Sequence, residues 1–150
     1  MQLVVSFSWS AAHRLPRYMG RCYRMHGHDY RLEVVVEGTP DGRTGMFVDF
    51  HEIQDALKPL VSQMDQSCFN DVLANPTAEA IVVWIWDRVV PQLRSLVELR
   101  LWETADCHVV YRGEPMPPEL TAAGGLGDVP DTAPGAPGGE HPGLSSEHEG

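Results

Sequence analysis

The alternation of apolar and polar positions predicts four β-strands in this 150-residue chain. They lie at residues 2–12, 28–38, 97–104 and 107–112. The second is the most regular, because apolar residues occupy every other position and most residues between them are charged. Its apolar face consists of Tyr30, Leu32, Val34 and Val36. A short additional strand is predicted at 45–48, after a turn rich in Gly and Pro.

A helical spacing replaces this alternation in the middle of the chain. Asp49 is placed to cap a first helix, and Glu52, three residues later, completes a capping box. Asn75-Pro76 is predicted to open a second helix, since a proline at the first helical position gives up no hydrogen bond. Pro91 is expected to bend or fray its last turn. The apolar stripes are Ile53, Ala56, Leu57, Leu60, Val61 and Met64 in the first helix and Ile81, Val82, Ile85, Val89 and Leu93 in the second.

The predicted element order is β-β-(β)-α-α-β-β, with no internal repeat. Each helix has one apolar stripe, and the most regular strand has one apolar face. Two helices packed on one face of a single antiparallel sheet bury these surfaces together. The sequence therefore predicts an α+β fold.

Composition divides the chain near residue 112. The formal net charge is -10, from 11 Lys and Arg against 21 Asp and Glu. Residues 113–150 contain seven of these acids, no Lys or Arg, nine of the 14 glycines and seven of the 12 prolines. Such a segment has too little apolar surface to offset its ordering entropy, so we predict a disordered acidic tail. The predicted domain, residues 1–112, has 14 acids and 11 bases and a net charge of only -3.

These properties exclude several classes of protein. No apolar run approaches the ~20 residues of a membrane-spanning helix, and the N-terminus lacks the features of a signal peptide. Three irregularly spaced cysteines do not predict a disulfide framework, so we expect a reducing, cytoplasmic location. A mildly acidic domain argues against nucleic-acid binding. Five of the 11 basic residues are nevertheless clustered within 18 positions: Arg14, Arg17, Arg21, Arg24 and Arg31.

The pair His26-Gly27-His28 is the sharpest local chemical signal. On an extended segment, residues two apart project from the same face, so both imidazoles can meet one metal ion. His13, at the end of the first predicted strand, is a candidate third ligand, and three imidazoles leave a zinc ion the open position that catalysis requires. The alternative is three ordinary polar residues at strand ends.

Two further side chains are candidates beside such a site. Cys22 lies four residues before His26, where a nearby cation and arginines would favour its thiolate, a base or nucleophile. The alternative is a small buried residue. Glu103 continues the apolar face of the third strand and therefore needs a partner or a ligand, unless the strand end reaches solvent. The arginine cluster suits a phosphorylated ligand, or is a set of solvated loop charges.

Several spaced motifs together resemble a known family. They are Phe7-x4-Ala12-His13-Arg14-Leu15, Cys22-x3-His26-Gly27-His28-x-Tyr30, Gly45-Met46-x-Val48-Asp49-Phe50, Asn75-Pro76-Thr77-Ala78-Glu79 and Glu103-Thr104. In this order they resemble the 6-pyruvoyl-tetrahydropterin synthase family, and the spacing between Cys22 and His26 is similar to that of its queuosine-pathway branch, 6-carboxy-tetrahydropterin synthase. The resemblance covers about residues 2–112.

The resemblance implies a tunnelling fold (T-fold), in which subunits join their sheets into a trimeric barrel and two trimers form a homohexamer with active sites between subunits. It implies zinc on His13, His26 and His28, with Cys22 as the catalytic base. Glu103 and Thr104 match the pterin-binding positions, and Glu103 also matches a glutamate assigned to the catalytic proton relay. The implied substrate, 7,8-dihydroneopterin triphosphate, would place its phosphates near the cluster that includes Arg14 and Arg24.

One motif departs from the family. After the first helix the family pattern is Leu-Asp-His-x-x-Leu-Asn, whose Asp and His serve the catalytic Cys in proton transfer. Here Asp65 is retained, but Gln66 replaces the histidine, and glutamine cannot shuttle a proton. Three interpretations remain open: a slower synthase, a relay through another group such as His108, or a changed reaction. The resemblance thus implies a zinc-dependent carbon–carbon lyase, with a sibling pterin enzyme or a non-catalytic pterin-binding protein as alternatives.

Overall fold

The computed structural model describes residues 1–124 and contains one five-stranded sheet in the order β3-β1-β2-β4-β5. The strands are β1 (Gln2–His13), β2 (His26–Glu37), β3 (Ser67–Cys68), β4 (Leu96–Trp102) and β5 (His108–Tyr111). All pairings are antiparallel except that of β3 with β1, which is parallel. β1 and β2 pair along their whole length, from Gln2 opposite Glu37 to His13 opposite His26. The loop between them therefore begins and ends beside two of the predicted metal ligands.

Two helices pack on one face of this sheet, as predicted. Helix α1 (Phe50–Met64) begins at Asp49, whose carboxylate accepts the His51 amide. Helix α2 (Ala78–Val89) begins two residues later than predicted, because the Thr77 hydroxyl, and not Asn75, caps it by accepting the Ala80 amide.

The core lies between these helices and the sheet. Both predicted stripes face it, and the apolar face of β2 is fully buried: Tyr30, Leu32, Val34 and Val36. On β1 the odd-numbered residues face the helices and the even-numbered residues face away. The sheet thus has a helix side and an open side, and in the described part of the chain no helix covers the open side.

The predicted strand at 45–48 is wrong. The Asp41 carboxylate accepts the amides of Arg43 and Thr44, and Gly45 follows in a left-handed conformation, so this segment is a turn. Phe47 still packs against the core, which explains its apolar character without a strand. Conversely, β3 was not predicted, since two residues are too few to show a periodicity.

The described chain continues past the predicted boundary at residue 112. It turns at Gly113, forms a short 3₁₀ helix at Pro118–Thr121 and ends on a β-bridge between Leu73 and Ala123. Residues 113–124 therefore lie against the domain. The rest of the predicted tail, residues 125–150, lies outside the described residues.

Cys22, Cys68 and Cys107 are free thiols, in line with the expectation of no disulfide framework. Within residues 1–124, neither helix has the length and apolar character needed to cross a bilayer.

Candidate metal centre

Three histidines meet on the helix side where β1 ends and β2 begins. His13 is the Cα partner of His26, and His28 projects from the same face of β2 two residues later. One ring nitrogen from each lies within 4.8 Å of the others. The ring centroids are 4.5 to 5.1 Å apart. The structure thus brings together the three side chains predicted as metal ligands.

Backbone carbonyls orient two of these rings. The Pro76 carbonyl lies 2.8 Å from His13 Nδ1, and the Arg24 carbonyl lies 2.7 Å from His26 Nδ1. A carbonyl only accepts, so each Nδ1 must carry the proton, and each neutral ring keeps its Nε2 lone pair free. Both Nε2 atoms are buried without a hydrogen-bond partner.

Such orphaned buried nitrogens are costly unless a ligand takes them, so the donor set fits a metal ion. Three imidazoles suit zinc and also other divalent transition metals. This fit rests on the geometry of the three imidazoles and on the two unsatisfied nitrogens.

Electrostatics favour the neutral rings that a metal requires. Burial lowers the pKa of His13 to about 4, with smaller contributions from His26 and His28 and against the effect of the Pro76 hydrogen bond. Burial and the charge of His26 also lower the pKa of His28. Protons therefore compete weakly for His13 at neutral pH.

A carboxylate lies beside the histidines, as its position after β4 predicts. Glu103 Oε1 is 3.7 Å from His13 Nε2 and is itself buried without a hydrogen-bond partner. Burial, followed by the charge of Glu79, raises the pKa of Glu103, while His26 and a hydrogen bond with Tyr30 oppose that rise. Burial and Glu103 in turn raise the pKa of Tyr30.

Glu79 is a member of this cluster that sequence reasoning used only as a residue of the first turn of α2. Its charge acts on Glu103 because the start of α2 lies against the strand ends that hold the histidines. The Asn75-Pro76-Thr77-Ala78-Glu79 motif was the available signal: its proline provides the His13 acceptor, and its threonine caps the helix.

The β1–β2 loop holds three more candidates. Cys22 is half-buried in a 3₁₀ turn at Arg21–Tyr23, and its carbonyl accepts the Leu15 amide across the loop. Arg24 is exposed next to the loop end and supplies the carbonyl for His26. Arg14 follows His13, and both its backbone groups bond to Asn70. In sequence, Arg14 is next to His13, Arg24 is two residues before His26, and Cys22 is four residues before His26.

Other candidates lie further round the site. Thr104 is exposed in the β4–β5 turn, where its hydroxyl accepts the Cys107 amide. Asp65 ends α1, and its carboxylate accepts the Ser10 amide. Gln66 has a left-handed backbone (φ 57°) and donates its amide to the Ser10 carbonyl.

Gln66 lines a cleft of about 360 Å³ together with Ser10, Ala12, Gly27 and Asp29, positions that point to the open side of the sheet. His28 borders the same cleft. In this chain Gln66 is therefore on the open side of the sheet, whereas the three imidazoles are on the helix side.

His108, the suggested substitute for the missing histidine, also faces the open side. Its ring stacks on Trp102 with centroids 4.5 Å apart, and the Arg31 guanidinium covers the same indole. Arg31 projects from the face of β2 opposite to His26 and His28. In this chain His108 thus lies on the side of the sheet opposite to the histidine cluster.

Comparison with known proteins agrees with these motifs. A family model described as 6-pyruvoyl tetrahydropterin synthase matches residues 2–114. The chain is 37% identical over 121 residues to 6-carboxy-5,6,7,8-tetrahydropterin synthase from Synechocystis sp., covering 73% of this chain and 94% of that protein. It is 34% identical to a 6-pyruvoyl tetrahydrobiopterin synthase from Dictyostelium discoideum, covering 71% and 91%. A dihydroneopterin monophosphate aldolase from Pyrococcus furiosus is 32% identical, with 68% and 89% covered.

Solved structures support the predicted fold. The 6-pyruvoyl tetrahydropterin synthase of Caenorhabditis elegans superposes with a TM-score of 0.71 at 20% identity, covering 76% of this chain and 96% of that one. The α+β T-fold expected for a single chain is therefore confirmed. The family match spans most of the chain, and the motifs that contain His13, His26, His28, Pro76 and Glu103 meet at one site: the chain belongs to the 6-pyruvoyl tetrahydropterin synthase family.

Proposed function

We propose that the protein is a zinc-dependent lyase that converts 7,8-dihydroneopterin triphosphate and one water to 6-carboxy-5,6,7,8-tetrahydropterin, releasing acetaldehyde and triphosphate, in queuosine biosynthesis. The observation that supports this most is the cluster of His13, His26 and His28, which leaves two Nε2 atoms buried and unpartnered next to Glu103. The similarity to the cyanobacterial 6-carboxy-tetrahydropterin synthase favours this reaction over those of the other relatives.

In this proposal the three imidazoles hold zinc through one nitrogen each, and zinc when bound supplies Lewis acidity toward the side-chain oxygen of the substrate. Cys22 removes the carbon-bound proton as general base. Glu103 and Thr104 receive the donor edge of the pterin. Burial, followed by the charge of Glu79, raises the pKa of the Glu103 carboxyl.

The charged end of the substrate needs basic residues near the site. Arg14 and Arg24 flank the first two metal ligands in sequence, at opposite ends of the β1–β2 loop. We assign the triphosphate to these arginines, because guanidinium groups match phosphate oxygens in charge and geometry.

In this proposal Asp65 and Gln66 act at an active site that lies between two subunits. Gln66 lies on the cleft side of its own sheet, so a role beside a catalytic thiol requires a second subunit. The proposed assembly is a cytoplasmic homohexamer with its active sites between subunits. In that setting Asp65 stays in the relay, and Gln66 holds a hydrogen bond without moving a proton.

Gln66 also favours a second candidate. A pterin-binding homologue with reduced or lost catalysis would retain the metal and pterin pockets and lose the relay histidine. A sibling reaction on the pterin side chain, as the names of the Dictyostelium and Pyrococcus relatives indicate for those proteins, is the third possibility.

One experiment separates these functions. Purified zinc-loaded protein is incubated with 7,8-dihydroneopterin triphosphate, and the products are identified by mass spectrometry. We expect 6-carboxy-tetrahydropterin and acetaldehyde; a different pterin would replace the proposal with a sibling reaction. Tight pterin binding without turnover would indicate the non-catalytic homologue.

The Cys22→Ala variant is the matched control for this assay. We expect its turnover to fall by ~10²–10⁴-fold, as for loss of a general base, while zinc stays near one ion per subunit. Retained activity would remove Cys22 from the mechanism.

A further inference from the structure

The chain continues beyond its family domain. The family match ends at residue 114, and the Synechocystis relative is covered to 94% while this chain is covered to only 73%. Residues 115–124, here termed the C-terminal strap, nevertheless lie against the domain.

The strap contacts the segment between β3 and α2, residues 70–76, here termed the anchor loop. The Ala74 amide donates to the Ala122 carbonyl over 3.0 Å, and the Gly124 amide donates to the Val72 carbonyl over 3.2 Å. These bonds flank the β-bridge between Leu73 and Ala123. Leu120 adds packing against the core.

The two ends of the anchor loop contact His13 and the residues that follow it. The Pro76 carbonyl accepts His13 Nδ1–H at 2.8 Å. The Asn70 side chain brackets the next residue, accepting the Arg14 amide at 2.8 Å and donating to its carbonyl at 3.0 Å. Asn75 accepts the Arg17 amide at 3.2 Å. The anchor loop thus joins the strap to the strand end that carries His13.

We propose that the C-terminal strap is a positioning element for the metal centre. The anchor loop runs from within the short 3₁₀ helix at Phe69–Asp71 to the start of α2, and within it Val72, Leu73 and Ala74 pair with the strap. By fixing this loop, the strap keeps the Pro76 carbonyl on His13 Nδ1 and thereby leaves His13 Nε2 as the metal-binding atom. Losing such an orienting contact typically weakens metal binding ~10- to 100-fold.

Gly124 makes this coupling testable, because the strap approaches the anchor loop backbone closely there. A Cβ on Gly124 would lie 2.4 Å from the Asn70 carbonyl oxygen and 2.5 Å from that of Leu73. Both contacts are with backbone atoms, which cannot move aside as a flexible side chain can. Gly42 offers a matched control, since a Cβ there meets nothing within 4 Å.

The test uses three full-length variants: Gly124→Val, Leu120→Ala and the control Gly42→Val. Each apoprotein is titrated with zinc in competition with a chromophoric chelator, and its melting temperature is measured without metal. We expect Gly124→Val to bind zinc ~10-fold more weakly, Leu120→Ala to weaken zinc binding in the same direction, and Gly42→Val to match the unaltered chain.

The outcomes distinguish positioning from general stability. If Gly124→Val and Leu120→Ala melt earlier but bind zinc as tightly as Gly42→Val, the strap is structural only and the inference is overturned. If Gly124→Val does not fold, the zinc affinity of Leu120→Ala decides. The inference rests on the proposed metal centre, so an unaltered chain that binds no zinc overturns both, whereas equal affinities overturn the strap alone.

Discussion

Polar groups on the two sides of the sheet differ in whether they have partners within the protein. Strand β2 contributes residues to both sides. Its helix side presents His26 and His28, where the Nε2 of His26 is buried without a partner. Its open side presents Arg31 and Glu33, whose charges are paired with each other. The two sets alternate along one short stretch of strand. The helix-side set includes a nitrogen without a hydrogen-bond partner, whereas the open-side charges neutralise each other.

The open side contains a ladder of alternating charges across three strands. Arg100 joins Glu33 of β2 to Glu98, with nitrogen–oxygen distances of 3.2 and 2.5 Å, and Arg112 closes the far end on Glu98 at 2.6 Å. Glu98 is only 7% exposed, which is tolerable because two guanidinium groups share its charge. Every member of this ladder has its partner in the protein.

The difference shows how to separate structural from functional polar groups. A buried polar atom with no partner costs free energy, and several such atoms gathered at one place indicate a ligand. Of the four in residues 1–124, Trp9 Nε1 lies apart on β1, whereas His13 Nε2, His26 Nε2 and Glu103 Oε1 meet at one place. By charge or burial alone, Glu98 would be as strong a candidate for a functional residue as Glu103.

The strongest test of the unsatisfied side is His28→Ala. Removing one of three ligands should weaken zinc binding by more than the ~100-fold that orienting contacts reach, and should abolish turnover. Zinc content after dialysis, measured by atomic emission, checks this. Glu37→Ala, at the other end of the same strand, should keep its zinc; if both variants retain zinc, the histidine cluster is not the metal site.

The next test concerns Glu103, the carboxylate on the helix side. Glu103→Gln should lower turnover ~10²-fold or more if the carboxyl holds or moves a proton. Its folding stability should be unchanged or higher at neutral pH, because the raised pKa of Glu103 means that its ionised form opposes folding. Urea unfolding and steady-state kinetics provide the two readouts. A loss of stability with normal turnover would reverse the assignment.

A smaller effect is expected at the position that departs from the family. Gln66→His should raise turnover, by up to the ~10²-fold that a general acid–base group commonly contributes, if position 66 faces a catalytic thiol in the assembly. The rate measured against the matched Gln66→Asn variant isolates the proton-transfer contribution. An unchanged rate would mean that another group already performs the relay.

The smallest effect on chemistry should come from Glu98→Gln. It removes a shared charge from the ladder, and we expect it to lower the free energy of unfolding by ~1–3 kcal/mol while zinc content and turnover stay the same. Denaturant unfolding of the zinc-loaded protein measures the first, and the product assay measures the second. Altered zinc content here would show that the two sides are not independent.

Most of the fold follows from the sequence because its signals are local and periodic. The alternation in β2 and the stripes of α1 and α2 each predicted the buried face that the structure has. The three histidines could be predicted as a set, since residues two apart share a face and a hairpin returns the chain beside its start. Their spacing alone could not decide between metal ligands and ordinary polar residues.

Other features depend on contacts that sequence patterns do not encode. The Asp41 carboxylate converts an apolar segment into a turn, and Glu79 approaches Glu103 only because α2 begins beside the strand ends. The side of the sheet on which Gln66 and His108 lie follows from tertiary packing. Residues 113–124 were assigned to a tail by composition, whereas a few backbone hydrogen bonds hold them on the domain.

The unbroken pairing of β1 with β2 makes the metal centre a check on correct folding. Their pairs run without interruption from Gln2 opposite Glu37 to His13 opposite His26. Because side chains alternate, shifting β2 by one residue would turn His26 and His28 to the open side and bring Gly27 opposite His13. A hairpin that forms in the wrong register therefore lacks the three-imidazole site. A metal ion captured during folding would select the chains whose strands are aligned, so metal occupancy would report on alignment over the whole length of the hairpin.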